Sequence, residues 1–153
     1  MPYIRFFIII LLLAGCRGSD KKAAEQETVP FGIPDTLLAW DTYADSMIKK
    51  KVANVPDSAI TVNRILNGLN EKYPEIQLVF QKQGHDTLFV SVPASDYLGN
   101  QMGDAGAAAW FADAVINLTS VSGVNYVSFS MEMQSHAQSG VISRENYRNW
   151  KEQ

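Results

Sequence analysis

Two histidines are the only imidazoles this chain offers for proton transfer or metal binding: His85, followed directly by Asp86, and His136, four residues after Glu132. A serine-type hydrolase needs nucleophile, imidazole and orienting acid within hydrogen-bond reach. No Gly-x-Ser-x-Gly elbow accompanies either histidine, and His85 stands in Gln83-Gly84-His85-Asp86, a polar run that makes turns for backbone reasons. A zinc site asks for a cluster of His, Cys and carboxylate side chains, and Glu132 with His136 is only a pair. The residues therefore assign no catalytic group, no metal site and no cofactor. Asp96, Asn100 and Asp104 supply oxygens at every fourth position, unlike the alternating ligands of a calcium loop. Gly99, Gly103 and Gly106 precede a helical pattern, but no Lys-Ser/Thr pair follows, and Asp104 puts negative charge where a phosphate would sit. Turn and cap duty, with Asp104 as N-cap, is the expectation there. Asn117-Leu118-Thr119 has the form of a glycosylation triplet, yet it falls inside a helical stretch with Leu118 on the apolar stripe, and is set aside.

The remaining reactive group is a thiol. Cys16 is the single cysteine, so no intramolecular disulfide can form and the fold must stand on its core. It follows Arg5, the apolar run Phe6-Phe7-Ile8-Ile9-Ile10-Leu11-Leu12-Leu13 and the small pair Ala14-Gly15, the layout of a secretion signal. A membrane-spanning helix needs roughly 20 apolar residues, and Cys16-Arg17-Gly18-Ser19-Asp20 interrupts this run at less than half that length. Leu13-Ala14-Gly15-Cys16 resembles the lipobox of bacterial lipoproteins. That resemblance implies cleavage before Cys16 and acylation of its thiol, with several chains together giving durable membrane attachment. It also implies a place in the cell envelope. Arg17 and Gly18 follow the cysteine with no Asp among them, which favours the outer membrane in a Gram-negative cell.

Loss of residues 1–15 leaves 138 of the 153, room for one domain and a tether. Arg5 is the one charge lost, so 12 basic residues face 16 acidic ones. A net negative chain has no long-range attraction for nucleic acid or an anionic bilayer. Residues 16–34 contain Lys21, Lys22, Glu25, Glu27 and two prolines with almost no large apolar side chain before Phe31. They read as a lipidated cysteine and flexible tether, reaching roughly 25 Å as a coil. Residues 35–153 form the domain.

Within it, Leu37, Trp40, Tyr43 or Ala44, Met47 and Ile48 recur at helical spacing, with Asp35 placed to cap and Lys49-Lys50-Lys51 at the negative end of the dipole. Asp57 is placed to cap a second helix with the stripe Val62, Ile65, Leu66, Leu69 and Tyr73, stopped by Pro74. Ile76, Leu78 and Phe80 alternate with polar residues, as do Leu88, Val90 and Val92 beyond the polar turn, so a β-hairpin is expected. The strongest periodicity, Ala107, Trp110, Phe111, Ala114, Val115 and Leu118, predicts a long helix, and Val127, Phe129, Met131 and Met133 a third strand. Strand, helix and strand make a crossover unit. A short helix capped by Ser143 and ending near Trp150 closes the chain. The expected fold is α+β, in the order α-α-β-β-α-β-(α), with a small sheet of three or more strands packed on amphipathic helices.

Asp86-Thr87-Leu88, then Tyr97-Leu98 with Gly103 and Gly106, then Asn117-Leu118-Thr119 and Ser122-Gly123-Val124-Asn125-Tyr126-Val127 are together similar to the GerM-type domain of sporulation and germination lipoproteins. The likeness covers under half of the chain. It departs where that family turns on Asp-Gly and this chain has Met133-Gln134-Ser135-His136. The resemblance implies an α/β module used for envelope assembly rather than catalysis, and carries over no catalytic residue.

These readings converge on an envelope lipoprotein whose domain binds a protein or a cell-wall glycan. The expected surface joins the 96–102 loop to the 136–147 segment, with Asp96, Tyr97, Met102, His136, Arg144 and Tyr147 as contact residues. The rival expectation is a small hydrolase of wall or carbohydrate substrates using His85, Asp86 or His136.

Overall fold

The computed structural model describes residues 35–132 and 135–153; the expected signal, the Cys16 motif, the expected tether and Met133 of the expected third strand lie outside them. The described chain is α+β, as expected, with two sheets sharing one central helix. Strands β1 (Trp40–Tyr43) and β2 (Ile48–Lys51) form an antiparallel hairpin. Helix α1 (Val62–Lys72) follows, then strands β3 (Val79–Gly84) and β4 (Thr87–Ser91), helix α2 (Gly103–Leu118) and strands β5 (Tyr126–Ser130), β6 (Gly140–Ser143) and β7 (Lys151–Glu152). The larger sheet has the order β3-β4-β5-β6 and the smaller one β1-β2-β7. Strands β4 and β5 run parallel, joined by α2, and the other pairs of the larger sheet are antiparallel. Among the described residues, no helix is long and apolar enough to cross a membrane.

The first expected helix is a correction: the chain there is the β1–β2 hairpin. Its apolar residues fall at helical intervals, but the backbone finds its partners elsewhere. Asn117 Oδ1, on α2, accepts from the amides of Ala39 and Trp40 at 2.8 and 2.9 Å, and Asn117 Nδ2 donates to Trp40 O at 3.1 Å. A buried backbone requires every such group to be satisfied, and one asparagine supplies what a helix would have supplied internally. Met47, in the left-handed region at φ 51°, turns the chain back. Lys49, Lys50 and Lys51 thus lie on a strand rather than at a helix end.

Smaller corrections have equally local causes. Asp57 opens a short 3-10 turn, and Thr61 occupies the N-cap position of α1. Asp104 lies in the first turn of α2, not at its cap, because Gly103 at φ 66° already turns the chain out of a π-helical turn over Tyr97–Gln101. The expected closing helix is a strand, a 3-10 turn over Arg144–Tyr147 and a second, two-residue strand. Ser143 does open that turn, its amide and hydroxyl donating to Asn146 Oδ1 at 3.1 and 2.8 Å. Phe80, expected to face inward, is 44 % exposed: β3 is an edge strand whose register shifts between Phe80 and Lys82. Bulges and lysines on an edge discourage pairing with other chains.

The core sits between α2 and the larger sheet. Leu88, Val90, Val127 and Phe129 point from the strands onto Trp110, Ala114 and Leu118, and Ile65 and Leu69 of α1 close one side. Trp110, Phe111 and Phe129 form a ring cluster with centroids 5.1 to 5.7 Å apart. From Ala112 to Thr119 every residue is buried, because the hairpin covers the face of α2 that the larger sheet leaves open. Among the described residues, every buried apolar one lies between Leu37 and Ala137.

Candidate functional site

The amino-terminal half of α2 is not covered in this way. Ala105, Ala108, Ala109 and Ala112, spaced to share one helix face, line a groove of about 470 Å³ with Met47 of the hairpin tip and Tyr147 and Trp150 of the last turn. The two rings pack edge to face, 5.7 Å apart at 89°. Burial pushes the Tyr147 phenol up to about 12. Methyl groups cover little of a helix, so they leave open a volume that larger residues would have filled. Its lining is apolar apart from Asp45 and the tyrosine and tryptophan polar atoms.

Phe111 and Ile142 belong both to this groove and to an adjoining cleft of about 460 Å³. The cleft brings together Asp104, His136, Gln138 and Ser139. His136 is held twice: its amide donates to Gly99 O at 3.1 Å, and its Nδ1 lies 2.6 Å from Asp104 Oδ1. The Asp104 side chain is 91 % exposed, so this pair orients the imidazole more than it stabilises the fold. Ser139 is occupied, its hydroxyl donating to Met131 O and accepting from Met131 N–H at 2.8 and 2.9 Å.

The two segments expected to share a surface therefore do meet, at His136 and Gly99. Of the six named contact residues, His136 lines the cleft and Tyr147 the groove. Asp96 is exposed and accepts from Asn100 Nδ2 at 2.7 Å, while Tyr97 and Met102 pack against the core. Arg144 is exposed and its amide donates to Asn125 O at 3.4 Å. Of the other lining residues, Met47 and Phe111 stand on apolar stripes in the sequence and Trp150 near the end of the last segment, while Ile142, Ala105, Ala108, Ala109 and Ala112 carry no sequence signal, since alanine on a helix reads as filler.

The residues of the rival hydrolase do not converge. His85 sits at φ 53° in the turn before β4, and Asp86 O accepts the amides of Asn125 and Tyr126, at the start of β5. His136 lies beyond the opposite ends of those strands, against Gly99. Among the described residues no three His, Cys, Asp or Glu side chains are grouped to hold a metal.

A second polar cluster, invisible in the sequence, lies deeper. Asp113 is fully buried on α2. Thr42 Oγ1 and Asn117 Nδ2 donate to its Oδ1 at 2.9 and 3.0 Å, Tyr73 OH donates to Oδ2 at 2.9 Å, and Lys72 Nζ lies 2.6 Å from Oδ2. Burial, then the charge of Asp113 and the bond to it, raise the Tyr73 phenol well above its ordinary range. With every acceptor engaged and no access from solvent, this carboxylate ties α1 and β1 to α2. No family of known proteins, no characterised protein and no solved structure matches the chain.

Proposed function

We propose that the protein is a lipid-tethered envelope lipoprotein, anchored through Cys16, whose domain binds another envelope protein by seating an apolar segment of it against α2. The observation that carries the binding half is the groove of alanine methyls, Met47, Tyr147 and Trp150, uncovered on an otherwise enclosed helix. Contiguous apolar surface of this kind marks interaction sites, and small residues let a partner's backbone approach closely. Its chemistry favours a protein segment over a glycan. Sugars require convergent hydrogen-bonding groups and open ring faces, whereas Tyr147 and Trp150 turn edge to face onto each other. The resemblance to the GerM-type domain supports an assembly role. The signal layout and the Leu13-Ala14-Gly15-Cys16 motif support the anchor.

Two experiments test the two halves separately. Cys16→Ser should leave the precursor unprocessed and remove the protein from the membrane fraction; unchanged processing and fractionation would sink the anchor. For the groove, Ala108 is exposed, so Ala108→Glu should fold normally. A partner captured by the wild type and rebound as a purified protein should lose at least about tenfold in affinity to this variant. Equal binding would remove the groove from the account, and capture by purified wall alone would assign a glycan instead. The hydrolase reading keeps one observation, the Asp104–His136 pair in the cleft. Release of soluble wall fragments, abolished by His136→Gln, would favour it.

A further inference from the structure

Strand β6 forms one edge of the larger sheet and β3 the other. An edge strand presents N–H and C=O groups that no neighbouring strand takes, and folded chains defend such edges with charges and bulges. The β3 edge has both, in Lys82 and in the register shift between Phe80 and Lys82. The β6 edge has neither: Gly140-Val141-Ile142-Ser143 holds no charge and pairs with β5 in one unbroken register. Gly140 and Val141 are exposed.

The pairing fixes what that edge offers. The Arg144 amide donates to Asn125 O, directly across the β5–β6 register, and residues of an antiparallel pair alternate between bonding the neighbour and pointing away from it. Gly140 and Ile142 therefore bond β5, while Val141 aims its N–H and C=O outward. The Ser143 amide, aimed the same way, is taken by Asn146 Oδ1. Side chains alternate as well: Ile142 stands opposite the buried Val127 and shares its face toward α2. With Phe111, it is also the residue common to the groove and the cleft. The open edge thus borders both cavities. An extended segment laid beside β6 at the ordinary strand spacing of about 4.8 Å would turn every second side chain toward α2, where the alanine methyls leave space.

We propose that the partner's segment enters as a β-strand, added to the edge of β6 through Val141, with alternate apolar side chains in the groove and a lysine or arginine facing Asp45. This rests on the groove being the binding site and names the form of what fills it. Charge supports the basic residue. Asp45 is exposed and is the one charged residue among the described residues that line the groove, the adjoining cleft adds the exposed Asp104, and no lysine or arginine lines either. Main-chain bonds to an edge give such a complex its affinity and pockets for alternate side chains its specificity. A docked helix would fill the groove and leave the outward groups of Val141 unused.

The probe is a phage-displayed library of random dodecapeptides, panned against residues 16–153 carrying Cys16→Ser, which contain every described core residue. Recovered peptides are resynthesised and titrated. They should carry apolar residues at every second position together with a lysine or arginine, and on binding the Val141 amide should exchange with deuterium at least about tenfold more slowly. Val141→Pro removes an outward N–H and none that β5 uses, so it should unfold at the wild-type temperature. It should nonetheless weaken the peptides at least about tenfold, as should Ala108→Glu. Should Val141→Pro fold poorly, peptides N-methylated at single amides give the answer on the unaltered strand: methylation should block binding at alternate positions only. Loss with Ala108→Glu but not with Val141→Pro, or apolar residues at intervals of three and four, would keep the groove and overturn the strand. Indifference to both variants, or an empty panning, overturns the strand and leaves the groove to the captured partner. A dimer of the chain that Val141→Pro dissociates, in place of peptide binding, would give the edge to a second copy and overturn the proposal as well.

Discussion

Asn117 and Asp113 set the energetic scale of single residues here. Asn117 is fully buried and bonds the backbone of Ala39, Trp40 and Asp113 as well as the Asp113 carboxylate. Asn117→Ala strands several of these groups at once. It should cost about 3 kcal/mol or more, against about 1 for an ordinary hydrogen bond, read from the urea midpoint. The tyrosines make a pH prediction with a definite sign. In the folded chain Tyr147 holds its proton up to about 12 because it is buried, while an unfolded tyrosine releases it near 10. Between these values the unfolded state binds fewer protons, so stability falls as pH rises. The contribution is whole below pH 10 and lost on the way to 12. Tyr73, raised in the same direction, adds to the fall. Tyr147→Phe should match the wild type at pH 8 and lose less stability at pH 11.5; parallel losses would refute the assignment.

At the scale of elements, α1 and the segment entering β1 approach closely enough to leave no room for a side chain at Gly68. A Cβ on Gly68 would lie 2.4 Å from Leu37 O, and Leu37 N–H donates to Arg64 O at 3.1 Å. Gly68→Ala must therefore push helix and segment apart. It should destabilise by about 1–3 kcal/mol, although alanine is the better helix former by about 1; a net gain in the urea midpoint would show that the segment yields freely. The same region shows what was legible in the sequence. Both α1 and α2 could be read because a long apolar stripe of period 3.6 has no competing explanation. The β1–β2 hairpin could not: Tyr43 and Met47, placed on a helical stripe, are about half exposed, and the bonds that fix β1 come from a residue 77 positions away. Strand β6 escaped because Gly140-Val141-Ile142-Ser143 has too few apolar alternations, with Val141 left 62 % exposed. Of the candidate site, His136 and Tyr147 were named in advance. The groove was not, since its open volume arises from side chains that are small rather than from any that stand out. Nothing in the sequence marks Asp113, because its burial arises only when two other elements, α1 and β1, close over it.

For the whole molecule, stability is distributed unevenly. The larger sheet and α2 share the apolar core, while the smaller sheet has four-, four- and two-residue strands carrying four lysines. Local opening should follow that division. Amides of β2 should exchange with deuterium at least about tenfold faster than those of Leu88 and Val90 in β4, and Asn117→Ala should erase protection in β1 before it touches β5. Uniform protection across both sheets would contradict this.

Because Asn117 alone satisfies the inner edge of β1, the first part of the domain to be synthesised is the last that can settle. A nascent chain grows from its amino end at a finite pace. The amides of Ala39 and Trp40 must wait for an acceptor 78 and 77 residues further along the chain. During that interval the inner edge of the strand stands with nothing to hold it, and its outer neighbour β2 waits longer still, for β7 at the far end of the chain.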